Sequence, residues 1–464
     1  MVDTGRGLRN VGPMAHMWIM SDLHTGQLAS QRSVWLYTFG CKTNQYDTEC
    51  MRQELESRGA RIVGDVEAAD TAVLNTCTVT SSADASARRL VRKLHRRHPG
   101  LRLVVVGCSS ALRADDYRNM DGVVAVIGGH DPVTVSAAVA PETALAESDE
   151  EPIGGMLLRS NRRGARGWLK IQDGCDRKCS FCATRLARGA SRSRQVDEIV
   201  AEARLQAAVH AELVLTGIHI GHYGYDLGSS TTLSGLCASI LDAVPGIRLR
   251  LGSIEATEID DALVTLLETS GGALAPHLHI PLQSGSDTVL HRMRRWHTGE
   301  AYRRRVLEIV ERIQPLGLGA DVIAGFPGET ETDHERTRQL IEDLPYSYLH
   351  VFPWSPRDGT QAAELDGRVP GPIAVDRARE LREMGIAKGK AYVASRVGGL
   401  ARVAVETKGL GLTGDYLRVR LYGANPEART GTLIDVRLGN TAEGGLRAGA
   451  TGRAAIPVLA AAQT

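Results

Sequence analysis

Long apolar runs are missing from this chain: no segment approaches the ~20 consecutive apolar residues that a membrane-crossing helix needs. The first thirty-odd residues also lack a basic segment leading into an apolar core, so secretion is not expected and a cytoplasmic protein is. Cysteine is sparse, with eight scattered through 464 residues, too few for a disulfide framework. In a reducing compartment those thiols are expected to serve as ligands, nucleophiles or core residues. Aromatic side chains make up only 4% of the chain, which argues against a broad platform for stacking nucleobases. Nor is there an excess of one charge, because the net of +1 gives no global attraction to a polyanion.

The length allows two or three domains, and 43% hydrophobic with 23% charged residues describes an ordinary globular protein. Arginine is unevenly spread, in "RRLVRKLHRRH" (88–98), "RSNRRGAR" (159–166) and "RMRRWHTGEAYRRR" (292–305). Any one such run reads as a solvated helix face, but together they point to a localised nucleic-acid surface.

After an extension over 1–33, expected to be disordered, the span 34–140 alternates β-branched runs ("VWLYTFG", "TAVLNT", "LRLVVVG") with helical patterns, the rhythm of an open parallel α/β domain. Cys41, Cys77 and Cys108 each follow one of those runs directly. Parallel strands end on one sheet edge, so the three thiols are expected to converge there. An acidic linker over 141–160 precedes 161–392, where the alternation resumes with six strand candidates: "WLKIQ", "ELVLTG", "IRLRLGS", "HLHIPLQ", "LGADVIAGF" and "YLHVFPW". That pattern predicts a partial (β/α)6, TIM-like barrel. The tail, 393–464, has alternating segments between glycine turns, predicting a small β-barrel that holds no cluster because it contains no cysteine.

"GCDRKCSFCATRLARG" (174–189) places Cys175, Cys179 and Cys182 on the first barrel unit. A structural zinc site would need a nearby fourth ligand, and none follows until His210. Three thiolates with an open corner fit an iron-sulfur cluster. A gap of three residues and then of two is the signature of the radical S-adenosylmethionine enzymes.

With "YTFGCKTNQYDTE" (37–49), "LNTCTVT" (74–80), "GC" (107–108), "LHIPLQSGSDTVLHRM" (278–293), "GFPGET" (325–330) and "HVFPWSPRDGT" (350–360), the chain from residue 34 onward resembles the methylthiotransferases of that superfamily. The tail is similar to the RNA-binding TRAM barrel. The resemblance implies two 4Fe-4S clusters, one on Cys175, Cys179 and Cys182 that binds and splits S-adenosylmethionine, and an auxiliary one on Cys41, Cys77 and Cys108 that supplies or carries sulfur. It further implies conversion of an aromatic C–H to C–SCH3 by radical chemistry, with two S-adenosylmethionine consumed. "VLTGIHIGHYGYDL" (214–227) is most similar to the branch that acts on threonylcarbamoyladenosine at tRNA position 37. Isopentenyladenosine tRNA, a ribosomal-protein aspartate, and a non-catalytic iron-sulfur redox sensor are the alternative readings. The partners implied are tRNA, an electron donor such as flavodoxin or ferredoxin, and a sulfur source.

Gly217, Glu255 and Gln283 sit at predicted strand ends and are candidates for S-adenosylmethionine contacts, with a turn glycine or a cap as the equal alternative. Arg188, Arg192 and Arg194 after the cysteine loop, and Arg418 with Arg420 on one face of a tail strand, are candidates for RNA phosphate contacts. His219 and His222 are read as loop histidines, and Cys50 and Cys237 as buried core residues.

Overall fold

Five parallel strands form the first layer: β1 (Ser33–Thr38), β2 (Arg61–Ile62), β3 (Thr71–Thr76), β4 (Arg102–Gly107) and β5 (Val123–Val126), in the order β2, β1, β3, β4, β5. The computed structural model describes residues 32–140, 157–159, 165–228, 230–407, 409–422, 429–440 and 445–450. The expected leading extension and most of the acidic linker lie outside those residues. β3 is buried along its length, as a strand covered by helices on both faces must be. Its alternate residues pack into two cores, Val73 with Val34, Leu36 and Val104 on one face, Ala72 and Leu74 with Leu103 and Val91 on the other. Strands β2 and β5 carry little sequence signal, being two residues long in one case and only partly buried in the other. The strand order reverses between β1 and β3, which opens the crevice where an open α/β sheet takes its ligands.

The second layer begins with β6 (Gly167–Lys170), followed by a short antiparallel pair, β7 (Gln172–Asp173) and β8 (Arg192–Ser193), that brackets the cysteine loop. Then come β9 (Glu212–Thr216), β10 (Arg248–Leu251), β11 (His277–His279), β12 (Gly317–Ala324) and β13 (Tyr348–Pro353). β6, β9 and β10 form one parallel sheet and β11, β12 and β13 another; parallel bridges Leu249 to Leu274 and Ser253 to His279 join them. The six strands therefore follow one another around an arc, and among the described residues β13 does not pair back to β6. One continuous apolar core, running from Leu169 through Leu213, Leu249, Leu278 and Leu318 to Val351, fills the space between the strands and their outer helices. Cys237 is part of this core, and Cys50 is buried beside Tyr46 and Leu158. Among the described residues no helix is long and apolar enough to cross a membrane.

A 26-residue helix, Gly371–Arg396, leads into a closed barrel of β14 (Leu400–Thr407), β15 (Leu410–Thr413), β16 (Arg418–Leu421), β17 (Leu433–Asn440) and β18 (Leu446–Ala450). Buried ions fasten it to the six-strand arc. Arg248 and Arg250 lie two residues apart on one face of β10 and both meet the wholly buried Glu212 of β9, at 2.5 and 2.9 Å. Their remaining donors reach across to carbonyls of the small barrel: Arg248 to Arg402 and Leu412 at 2.6 and 3.1 Å, Arg250 to Gly414 and Thr413 at 2.8 and 2.9 Å. Burial would raise the Glu212 carboxyl, but the two arginines hold it down at about 2.

Replacing Glu212 with Gln leaves two guanidiniums buried against each other, a change expected to cost about 3–5 kcal/mol. Chemical denaturation should show the loss, and an unaltered midpoint would mean that the pair carries no stability. Because the folded carboxyl is depressed, the wild-type contribution is complete above the ordinary glutamate range and disappears only as pH falls through about 2.

Candidate active site

Each strand of the first layer that was expected to end in a thiol does so, and the chain geometry there is specific. Cys41 caps the helix Lys42–Ser57, Cys77 directly follows β3, and Cys108 opens the short helix Cys108–Leu112. Gly40 adopts φ +93°, and a Cβ at that position would overlap the Cys77 thiol, so only glycine lets the β1 and β3 ends approach. Asn44, fully buried, gathers the three ends. Its amide nitrogen donates to the Phe39 and Thr76 carbonyls at 3.0 and 2.9 Å, and its oxygen lies 4.0 Å from Cys41 Sγ and 3.9 Å from Cys108 Sγ. The expected convergence at one sheet edge is what the fold produces.

Cys175, Cys179 and Cys182 lie on the loop between β7 and the helix Thr184–Arg188. Gly174, at φ +67°, closes the loop base, where the Cys175 N–H donates to the Gly189 carbonyl at 3.1 Å. Ser180 pins the far side through its N–H to Met293 at 3.0 Å and its hydroxyl to Arg292 at 2.8 Å. Burial pushes the Cys175 thiol up to about 12, with repulsion from Cys182 and Cys179 adding to it, and burial does the same to Cys108, with Cys41 and Cys77 adding. Thiols so placed ionise readily only around a cationic centre. The imidazole nearest each set is already engaged: His219, 3.6 Å from Cys175, through Nε2 with Glu258 at 2.8 Å, and His130, 3.8 Å from Cys108, with Arg188 at 3.0 Å. Three thiol donors without a fourth suit a cluster that keeps one iron open, better than they suit closed zinc.

Arg188, at the end of the helix that follows Cys182, reaches Cys108 of the other set, and here the structure corrects the sequence reading. Instead of meeting phosphate at a pocket mouth, its side chain is buried. Nη1 is shared between both oxygens of Asp173 at 2.9 Å to each, Nη2 meets Asp47 and Asn44 at 2.7 Å, and Nε lies 3.2 Å from Cys108 Sγ. Lys170 completes the cluster at 2.8 Å from Asp47 and 2.5 Å from Asp173. Burial would raise both carboxyls, but Arg188 and Lys170 hold them below the usual aspartate range, and His130 falls to about 3 by burial and the nearby Arg188 charge. Arg194 is likewise buried, 2.9 Å from Glu202 and 3.2 Å from the Tyr46 hydroxyl. The expected phosphate role of both arginines gives way to buried contacts that seam the first layer to the arc, through ion pairs of Arg188 with Asp47 and a hydrogen bond of Arg194 to Tyr46. Arg192 stays half-buried on β8, and Arg418 and Arg420 are exposed on one face of β16 with Val419 turned inward.

A cavity of about 590 Å³ opens beside Cys41 and Cys77. Cys41, Lys42 and Cys77 line one side, Gly217 and Ser253 at strand ends another, and His277, His279, Tyr348 and Tyr416 a third. Rings are concentrated on that third wall: His277 stacks on Tyr416 at 4.3 Å, and Tyr348 lies 5.6 Å from Tyr416. Tyr416 comes from the small barrel and holds φ +70°, a conformation costly for a bulky residue. So an aromatic surface forms despite the low aromatic content, and part of it is imidazole. Asp321 sits among His279 and His350 at 3.2 Å each; against the effect of burial, hydrogen bonds from these two hold it well below the usual range. An adjoining cavity of about 160 Å³ is lined by Phe181, Gln283, Asp321 and Trp354.

Of the three expected cofactor contacts, Gly217 faces the larger cavity and Gln283 the smaller. Glu255 is paired with Arg295, whose Nη1 lies 3.6 Å from Cys179 Sγ. Sequence reasoning missed Arg295, Asn44 and Lys42, and it discounted His219, which meets both Glu258 and Cys175. Lys42 and Asn44 lie inside a motif already quoted, so proximity to Cys41 was the available signal. Burial, with Arg166 and Arg250 adding to it, lowers the Lys42 ammonium to about 8.

Residues 33–129 match the uncharacterized protein family UPF0004 and residues 169–341 the radical SAM superfamily. The chain is 35% identical over 395 residues to the threonylcarbamoyladenosine tRNA methylthiotransferase MtaB of Rickettsia prowazekii, covering 83% of this chain and 90% of that protein. It is 33% identical to the MtaB of Bacillus subtilis, covering 88% and 93%, and 31% identical to a tRNA-2-methylthio-N(6)-dimethylallyladenosine synthase of Wolbachia pipientis, covering 76% and 83%. Among solved structures, the radical S-adenosylmethionine methyltransferase TsrM of Kitasatospora setae, with cobalamin and a 4Fe-4S cluster bound, shares the fold at TM-score 0.53 and 15% identity, covering 72% of this chain and 77% of that one.

Arg188→Met should act on folding, because it strands Asp47 and Asp173 with Lys170 alone; a cost of about 3–5 kcal/mol in denaturant is expected. A variant of wild-type stability with weakened RNA binding would restore the phosphate-contact reading.

Proposed function

The chain belongs to the radical S-adenosylmethionine methylthiotransferases, and on that footing we propose that it converts threonylcarbamoyladenosine at tRNA position 37 to its 2-methylthio derivative. The observation that carries this reading is a pair of adjoining cavities, the larger with Cys41 and Cys77 on its wall and the smaller lined by Phe181 of the loop that holds Cys179 and Cys182, with Arg188 from the following helix reaching Cys108. Cys41, Cys77 and Cys108 would hold one 4Fe-4S cluster, and Cys175, Cys179 and Cys182 the other. Bound there, the clusters and S-adenosylmethionine supply the electron, the radical and the sulfur that attack on an unactivated aromatic C–H bond requires.

The protein's own residues do the remaining work. Phe181, Gln283 and Trp354 shape the smaller cavity for S-adenosylmethionine, while Gly217 lets the bound molecule approach backbone at the end of β9. Arg295, fixed by Glu255, offers guanidinium charge beside Cys179, where the carboxylate of the methionyl group would lie. Tyr348, Tyr416 and the histidines offer a face for one extruded adenine, and Asp321, 3.2 Å from His279 and from His350, holds those two rings in place. Arg192, Arg418 and Arg420 would hold the RNA backbone. An electron donor and a sulfur source complete the cycle as partners.

Relatives named for threonylcarbamoyladenosine reach 35% identity and the one named for dimethylallyladenosine 31%, which favours the former substrate. Mass spectrometry of tRNA nucleosides from a deletion strain should show 2-methylthio-threonylcarbamoyladenosine lost and its precursor accumulated; loss of the isopentenyl product instead would move the chain to the sister branch. Anaerobically reconstituted protein should carry about eight irons, and replacing Cys175, Cys179 and Cys182 with Ala should leave about four. Full iron content in that variant would refute two separate clusters.

A further inference from the structure

Among the described residues Lys42 is the one lysine or arginine on the wall of the larger cavity. It follows Cys41 directly and opens the helix Lys42–Ser57, whose first turn contains no acidic residue. Its ammonium makes no hydrogen bond or ion pair with any described residue. It rests instead against two rings, 6.0 Å from the centroid of Trp168 and 5.9 Å from that of Tyr416. Behind those rings stand Arg166, 5.7 Å from Trp168, and Arg250, 5.2 Å from Tyr416.

Behind Lys42 cations outnumber carboxylates: Arg166, Arg248 and Arg250 share Glu212, and Arg166 also meets Glu406 at 2.9 Å, while Cys41 is the acidic group beside Lys42 on the chain. Arg250 has its donors committed to Glu212 and to the carbonyls of Thr413 and Gly414. Only Lys42 is left to receive a negative group, and it faces the space that the reacting base would fill. Lys42 is half-buried and its ammonium has no partner among the described residues, so an anion arriving with the substrate finds a cation already turned towards it.

We propose that Lys42 binds the free carboxylate of the substrate's amino-acid-derived side chain and thereby selects a carboxylated adenosine over one with an uncharged hydrocarbon substituent. The inference rests on the proposed function and gives its substrate choice a physical basis. A hydrocarbon chain in the same place would leave the ammonium dry and unpaired, which penalises the wrong substrate as well as favouring the right one. The Trp168 and Tyr416 rings limit where the ammonium can point, so a carboxylate pairs there with little rearrangement.

The test uses the full-length, cluster-loaded protein and three anticodon stem-loop RNAs, carrying threonylcarbamoyladenosine, its carboxylate methyl ester, or isopentenyladenosine. Wild-type protein should bind the free acid about tenfold or more tighter than the ester, the size of a charged hydrogen bond. In Lys42→Met that ratio should fall towards one, with iron content per chain at the wild-type level, and Lys42→Arg should recover part of it. If Lys42→Met weakens the acid and the ester equally, the ammonium serves an RNA phosphate and the proposal is overturned. A wild-type ratio retained in Lys42→Met, or a collapse of iron content, overturns it too. If wild-type protein methylthiolates the threonylcarbamoyl RNA while the ratio ignores Lys42, this inference alone fails. If it acts only on the isopentenyl RNA, the proposed function fails and takes the inference with it.

Discussion

A guanidinium with no route to water sets the terms for everything around it. Arg188 extends from the arc to the first layer, and its donors are taken up by Asp173 from its own half and by Asp47, Asn44, Cys108 and His130 from the other. Neither half satisfies it alone, so the interface must close for the charge to be tolerated. Apolar side chains would hold two domains together as firmly, but they would accept small slips. Nη1 shared between both oxygens of Asp173 on one side, and four separate partners on the other, permit one arrangement. The two thiol sets inherit their separation from that arrangement, since the helix that ends in Arg188 begins two residues after Cys182.

Much of this was legible in the residues. Strand-helix alternation located all six strands of the arc, and cysteines placed directly after strands announced a common edge. What failed was the reading of charge. Arg188 and Arg194 look like any exposed arginine beside a loop, and nothing local reveals that Asp47, far off in sequence, and Tyr46, equally far from Arg194, come to meet them. Long-range ion pairs leave no periodicity. The same holds for Arg248 and Arg250, which in sequence interrupt an apolar strand and in the fold clasp the small barrel.

Composition misled in a different way. A low aromatic content describes an average over the whole chain, while a binding wall needs only a few rings in one place. Tyr348, Tyr416 and three histidines supply them, from β11, from β13 and from the tail. Histidine is not counted as aromatic in such totals, although its ring stacks as the others do. Spatial concentration, which only the fold provides, decided the matter.

The tail barrel was expected to stand apart from catalysis because it has no cysteine, yet its Tyr416 forms part of the cavity wall. The boundary between domains therefore differs from the boundary between tasks. A chimera that exchanged this barrel for that of a relative would alter the reaction chamber along with the grip on RNA.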